Sequence, residues 1–383
     1  MSETYVFVIN SLLPGGAERS LIELLPRLMK TDVRPIVYCL YRPEISIEDE
    51  ARSLGLDVRH LDATRFVGRV RELRRAIKAE APSLIHTTLF DSDMVGRLAT
   101  IGTGVPVVTT LANATYDDDR IRGDANLNPR KVAIVKLLDG FTGRHLTTHF
   151  HAVSHAVKAS SVAALKLRAD DVTVVHRGRD PERLGRRTGE RREMVRRKLG
   201  IEEGEKLVLT VGRQEHQKGQ QFLVQAMASL VDDHPAARLA IAGRPGSATP
   251  VLEGLVEELA LQDRVMFLGH RSDVADLLVG ADVFVFPSLW EGLGGALIEA
   301  LALEVPIVAS DLAALREVVE PGVNGFLVPA GDAQALATGI SQALAASTNE
   351  ERLVTSNRAR FEANFELDDC ADRMIELLSK VSR

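Results

Sequence analysis

The stretch Ser288-Leu-Trp-Glu291-Gly292-Leu293-Gly294-Gly295-Ala-Leu-Ile-Glu299-Ala-Leu301 sets two carboxylates eight residues apart around a glycine-rich turn. It follows the apolar run Val283 to Phe286 and Pro287, and it turns helical in pattern from about Gly295. Backbone without Cβ atoms therefore meets the amino end of a helix, where unpaired amides and the positive end of the dipole attract anions. Gly292, Leu293, Gly294 and Gly295 make a candidate pyrophosphate cradle, and Glu299, one turn into the helix, is placed to accept hydrogen bonds from a pair of ribose hydroxyls. Taken alone, the same pattern also describes an ordinary helix start with a solvated glutamate. Two cations stand at another strand end, in Val211-Gly212-Arg213 followed by Lys218-Gly219.

Elements that could hold these residues recur along the chain. Short β-branched runs alternate with amphipathic segments, which calls for parallel strands joined by helical crossovers, an α/β class. The expected strands of a first series are Tyr5 to Asn10, Arg34 to Leu40, Ser83 to His86, Val105 to Thr110 and Phe150 to Val153, with a helix over Ala17 to Met29. A second series comprises Leu207 to Val211, Ala237 to Ala242, Val265 to Leu268, Val283 to Phe286 and Pro306 to Ala309. Between them, Arg177 to Lys206 is dominated by Arg and Glu, so the boundary is expected near residue 185. Leu367 to Val381 has a helical pattern. In a doubly wound sheet, ligands bind outside the carboxyl ends of the strands, which is where the candidate residues fall.

Composition limits the alternatives. Of 383 residues, 45% are hydrophobic and 26% charged, enough apolar material for two large cores. With 47 basic against 53 acidic side chains and a net charge of −6, the chain is not a generic polyanion binder, and no nucleic-acid partner is expected. Two cysteines, Cys39 and Cys370, suit a reducing compartment. The acidic start and short apolar run at Tyr5 to Ile9 lack the form of a signal peptide, so a cytoplasmic protein is expected.

The motifs together resemble the retaining GT-B glycosyltransferases of family 4 (glycosyl transferases group 1) over nearly the whole chain. Glu291 and Glu299 match the Glu-x7-Glu signature. Val211-Gly212-Arg213 with Lys218-Gly219 is similar to the second motif, Gly15-Gly16-Ala17-Glu18 to the amino-terminal turn, and Gly322-Val-Asn324-Gly325-Phe-Leu-Val-Pro329 to a late turn. The resemblance implies two Rossmann-like domains facing across a cleft: 1–185 for the acceptor and 186–365 for a nucleotide-sugar donor, with 366–383 packing back on the first. It implies transfer of a hexose or similar sugar from a UDP- or GDP-linked donor, with retention, to a hydroxyl of a small molecule, a glycan or a lipid-linked acceptor. In those roles Arg213 and Lys218 stabilise the departing diphosphate, Glu291 lies near the donor sugar, Glu299 holds ribose, and Gly16 and Gly212 let backbone approach the donor. Neither a metal nor a cofactor is expected.

Other patterns carry less. Asp91-Ser-Asp93 and Asp117-Asp118-Asp119 resemble metal triplets, but aspartates are common at helix caps and turns. His149 and His151 alternate on a strand and so point to opposite faces, poor geometry for one ion. The helix Phe66 to Glu80 puts Phe66, Val70, Leu73 and Ile77 on one face and Arg69, Arg71, Arg74, Arg75 and Lys78 elsewhere. Such a helix either packs on a core with a solvated basic face or lies at the inner surface of an anionic membrane as a peripheral contact. Relatives carry a histidine where Ala112 stands, which leaves Asn113 or His86 for the acceptor side. The alternatives are a sugar-nucleotide epimerase of the same fold, a non-catalytic nucleotide-sugar binder, and a dinucleotide oxidoreductase. Gly15-Gly16-Ala17-Glu18 lacks the Gly-x-Gly-x-x-Gly of the last.

Overall fold

The computed structural model describes residues 3–117, 121, 127–346 and 350–383. It divides into two compact units, Met1–Arg179 with Leu367–Arg383, and Asp180–Glu366. The division precedes residue 185 because Leu184, in the helix Pro181–Leu184, is buried within the second unit.

The first unit is built on a seven-stranded sheet of order β3-β2-β1-β4-β5-β6-β7. Its strands are β1 (Glu3–Ile9), β2 (Val33–Cys39), β3 (Asp57–His60), β4 (Leu84–Thr88), β5 (Val107–Leu111), β6 (His149–Ala152) and β7 (Val172–Val174), all paired in parallel. The alternation of β1 is read on both faces. Tyr5, Phe7 and Ile9 pack with Leu21, Leu25 and Leu28 of the helix Gly16–Leu28 and with Met374, Leu377 and Leu378 of the helix Leu367–Ser382. Val6 and Val8 face Leu73, Ile77 and Val95 on the other side. The helix Phe66–Glu80 thus gives Leu73 and Ile77 to the core.

The second unit has a six-stranded sheet of order β10-β9-β8-β11-β12-β13. Its strands are β8 (Lys206–Val211), β9 (Ala237–Ala242), β10 (Val265–Gly269), β11 (Val283–Phe286), β12 (Ile307–Ser310) and β13 (Phe326–Val328). In each sheet the strand order reverses beside the first strand, between β1 and β4 and between β8 and β11. These are switch points, where crossovers leave in opposite directions and open a crevice at the strand ends.

Charge rather than apolar surface docks the first long helix of the second unit. Gly189–Leu199 buries only Val195. Arg192 and Arg196 donate to opposite carboxylate oxygens of buried Asp282 at 2.8 and 2.9 Å, and the Leu207 amide joins them at 2.7 Å. The arginine-rich run that breaks strand pattern in the sequence is therefore a helix held by polar contacts, chiefly to Asp282, with Arg191 paired to Asp276 at 2.7 Å and Arg192 and Arg196 also donating to backbone carbonyls. Asp282→Ala should lower the unfolding free energy on the order of 3 kcal/mol, because removing the anion leaves two part-buried guanidinium groups uncompensated. Urea denaturation checks this, and a loss below about 0.5 kcal/mol would show that the ion network does not hold the helix.

Candidate functional site

In the second unit the switch point carries the candidate residues. β8 ends at Val211 and runs into Gly212 and Arg213, and the short 3-10 turn His216–Lys218 follows before the helix Gln220–Ser229. Beside it, β11 ends at Phe286 and runs through Pro287 and Ser288 to Glu291. The two loops are tied together by backbone as well as side chains. The Leu289 amide donates to the Gln217 carbonyl at 2.8 Å, and Gln217 Nε2 donates to the Trp290 carbonyl at 2.9 Å. Gly219 sits in the left-handed region, at φ 59°, and a Cβ there would lie 2.0 Å from the Pro287 oxygen. Only glycine lets the loops meet this closely.

Lys218 and Glu291 are brought together by this joint. The Lys218 ammonium forms an ion pair with Glu291 Oε1, which also accepts from the Ser288 hydroxyl at 3.0 Å. Both side chains are largely buried, at 19% and 8% exposure, and the ammonium lies 5.3 Å from the centre of the Phe286 ring. A fixed ammonium in a partly dry site interacts with an incoming anion far more strongly than a surface lysine does. The methylenes of Lys218 run along Gly212, where a Cβ would stand 3.3 Å from Cδ. Arg213 is different: it is half exposed, with a guanidinium nitrogen 4.0 Å from Glu215. It is an exposed cation with one long contact to an acid, whereas Lys218 is held between Glu291 and the Phe286 ring.

The glycine-rich turn then enters the helix Gly295–Ala302. Gly294 is the residue before it, at φ 84°, and its carbonyl accepts from the Leu297 and Ile298 amides at 3.1 and 3.2 Å. Gly292, Leu293 and Gly294 are buried, Gly295 is half-buried, and Glu299 lies half-buried in the second turn of the helix. The helix therefore presents its amino end beside the Lys218–Glu291 pair. The late turn is rigid: Asn324 accepts from the Glu320 amide at 2.6 Å and donates to the Val318 carbonyl at 3.2 Å.

The remaining candidates belong to the first unit. Gly16 is the exposed first residue of its helix, and its carbonyl accepts from Ser20 at 2.8 Å. His86, on β4, lines a cavity of about 60 Å³ together with Ser20, Thr110, His151, Arg177 and Met374. Asn113 is exposed beyond the end of β5 and does not line it. Asp91 accepts from the Tyr41 hydroxyl at 2.9 Å, while Asp93 is buried, so this pair is split between environments. Asp118 and Asp119 lie outside the described residues.

A chain of hydrogen bonds fixes the histidine tautomers. His151 Nε2 donates to the Val175 carbonyl at 2.8 Å, so its Nδ1 accepts from Thr110, 3.0 Å away. Thr110 in turn accepts from His86 Nε2 at 2.8 Å, and His86 Nδ1 is left as a buried acceptor with no protein partner. Burial holds both rings neutral, lowering His86 to about 3 and His151 to about 4. Composition and spacing did not reveal this relay, nor Ser288 and Gln217 as supports of the ion pair. Ser288 and Gln217 lie beyond strand ends, which was their only signal, whereas His86 and His151 sit within β4 and β6.

Comparison with known proteins places this geometry. Residues 14–183 match the family model Glycosyltransferase Family 4, and residues 191–360 match Glycosyl transferases group 1. Anabaena HepE, solved in complex with UDP and glucose, superposes with a TM-score of 0.86 at 22% identity, covering 98% of this chain and 99% of that one. The fold is thus that of the GT-B glycosyltransferases, with the family 4 match lying almost wholly in the first unit and the group 1 match in the second. An uncharacterized glycosyltransferase of Methanocaldococcus jannaschii is 29% identical over 228 residues, 59% of this chain and 58% of that protein. The D-inositol 3-phosphate glycosyltransferase of Corynebacterium urealyticum is 33% identical over 215 residues, 54% of this chain and 50% of that protein. The matched region thus spans little more than half the length of these curated relatives.

The buried histidines make stability depend on pH in a defined sense. Below the unfolded value of about 6.5, the unfolded chain binds protons that folded His86 and His151 refuse, so stability falls as pH drops toward about 4. Asp93, raised by burial to about 7, opposes this, because folded Asp93 holds a proton that the unfolded chain releases above about 3.9. His86→Gln should therefore flatten the acid side of the stability curve by up to about 1.4 kcal/mol per pH unit, and Asp93→Asn should steepen it by as much. Chemical denaturation at a series of pH values between those limits is the measurement. Equal slopes in wild type and His86→Gln would mean that His86 is protonated in the folded state.

Proposed function

We propose that this protein is a retaining glycosyltransferase that moves a hexose from a UDP- or GDP-linked donor to an acceptor hydroxyl without a metal ion. The observation that carries this reading is the Lys218–Glu291–Ser288 cluster beside the amino end of the helix Gly295–Ala302. A diphosphate leaving a sugar carbon gains charge in the transition state. A pinned ammonium and oriented backbone amides stabilise that gain without having to reorganise. The UDP and glucose bound by the HepE structure are consistent with a donor of this class.

Each residue has a distinct part in the reading. Lys218 faces the departing diphosphate, and Arg213, less constrained, closes on it from the rim. Gly292 to Gly295 let the phosphates approach the main chain, and Glu299 accepts from the ribose hydroxyls. Glu291 holds the ammonium in place and lies by the sugar as an electrostatic partner to positive charge at the reacting carbon, not as a nucleophile. The bond from that carbon to the phosphate oxygen breaks as the bond to the acceptor oxygen forms, and the acceptor's proton goes to the departing diphosphate. Gly16, His86 and Asn113 belong to the acceptor-side unit, and the acceptor is a small molecule, a glycan or a lipid-linked sugar.

Donor candidates are screened by thermal shift with UDP, GDP, ADP and their common sugars, since a specific ligand raises stability by mass action. Turnover is then followed as released nucleoside diphosphate, and product configuration by NMR. Glu299→Ala should weaken nucleotide binding about ten-fold with little change in kcat, through loss of hydrogen bonds to a charged acceptor. Lys218→Ala should lower kcat about 100-fold or more with a smaller effect on KM. Unchanged turnover in both variants would refute these roles, and an inverted product would refute retention.

A further inference from the structure

The helix Pro129–Leu146 of the first unit is turned inside out. Its buried residues are Asp139, Gly140, Thr142 and Gly143, while Ile134, Leu137, Leu138 and Phe141 are exposed by 60%, 68%, 46% and 57%. Those four positions recur at helical spacing and form one stripe, where a water-facing helix normally shows charge. The inward polar face is fully engaged. Buried Arg97 donates to Asp139 at 2.6 Å and to Thr142 at 3.1 Å, and the Tyr116 hydroxyl donates to the other Asp139 oxygen at 2.8 Å. The Asn128 side chain caps the helix by accepting from the Arg130 and Lys131 amides. The orientation is thus set by a buried ion pair, and the apolar stripe faces out as a consequence.

On the helix itself the charged residues beside the stripe are of one sign. Arg130 and Lys131 at one end and Arg144 and His145 at the other are exposed and lie on the same side as the apolar residues, and Arg144 is steadied by the Leu165 carbonyl. Asp139 is the only acid in the helix, and it is committed inward to Arg97. An apolar centre between positive ends, with no acid on the helix's exposed side, complements an apolar layer beneath anionic headgroups. A second copy of the same face would set Arg130 and Lys131 against Arg144 or against themselves, so like charges oppose self-association. The basic helix Phe66–Glu80 lacks such a stripe, because Leu73 and Ile77 are buried in the core and only Phe66 and Val67 at its start are largely exposed.

We propose that the helix Pro129–Leu146 seats this protein on an anionic lipid bilayer, with Ile134, Leu137, Leu138 and Phe141 at the acyl boundary and Arg130, Lys131 and Arg144 against lipid phosphates. Among the described residues no helix is long and apolar enough to cross a membrane, so the contact is peripheral. The proposal stands independently of any catalytic assignment.

The test is flotation of the full chain with phosphatidylcholine vesicles, with and without phosphatidylglycerol. The protein should float with the anionic vesicles only. The double variant Leu137→Glu/Phe141→Glu should reduce that partition by about ten-fold or more, since two apolar contacts become like-charge repulsions. Phe66→Ser should float as wild type. Both changes are at exposed positions, and circular dichroism and melting confirm the fold. In a second readout, Phe141→Trp should shift its emission to the blue on adding anionic vesicles. Failure of wild type to float with anionic vesicles, equal flotation of the double variant, or a dimer that the double variant dissociates without any vesicle binding would each overturn the proposal.

Discussion

A parallel strand flanked by crossovers is covered on both faces, so its middle can tolerate little but apolar side chains. Polar chemistry is driven to the strand ends. The placement of the candidate site follows from that constraint. β11 is apolar through its length and β8 nearly so, with Lys206 at its start and one buried hydroxyl at Thr210, and only beyond Val211 and Phe286 do Arg213, Lys218, Ser288 and Glu291 appear. Because these two strands are neighbours at the reversal of the sheet, their loops meet, and a lysine and a glutamate far apart in sequence become an ion pair. The first sheet obeys the same rule less completely. His86 and His151 sit within strands, and their ring nitrogens other than His86 Nδ1 are accommodated by the Thr110 hydroxyl and the Val175 carbonyl.

Strands with neighbours on both sides were legible because double burial makes most of them rich in β-branched and apolar residues, with Thr and His interspersed in β4, β5 and β6. β3, β7 and β13 were not. Each is an edge strand of three or four residues, and Asp-Val-Arg-His of β3 reads as loop because its charged residues face water or pair with one another. The helix Gly189–Leu199 was hidden for a related reason: its docking is electrostatic, and a charge-rich segment with one buried side chain carries no apolar period.

At the candidate site the glycines and charged residues were visible as a motif, and their types are the basis of the phosphate reading. Their division of labour was not visible. Nothing in the spacing distinguishes pinned Lys218 from open Arg213, because the difference arises from loop contacts across β8 and β11, through Gly219 against Pro287 and Gln217 against Trp290. The helix Pro129–Leu146 makes the same point in reverse. Its apolar residues resemble a core face, and only the partner of Asp139, Arg97 on another helix, decides which side turns inward.

The helix Leu367–Ser382 has a bearing on how the molecule is made. Its Leu367 amide is bonded to the Arg179 carbonyl at 3.0 Å, and Met374, Leu377 and Leu378 complete the apolar layer over Tyr5, Phe7 and Ile9. During synthesis, the unit that emerges first from the ribosome therefore lacks one wall until nearly two hundred further residues have been joined. The later-translated unit, whose sheet and covering helices are contiguous in sequence, can condense before it. The order of birth and the order of completion are opposite.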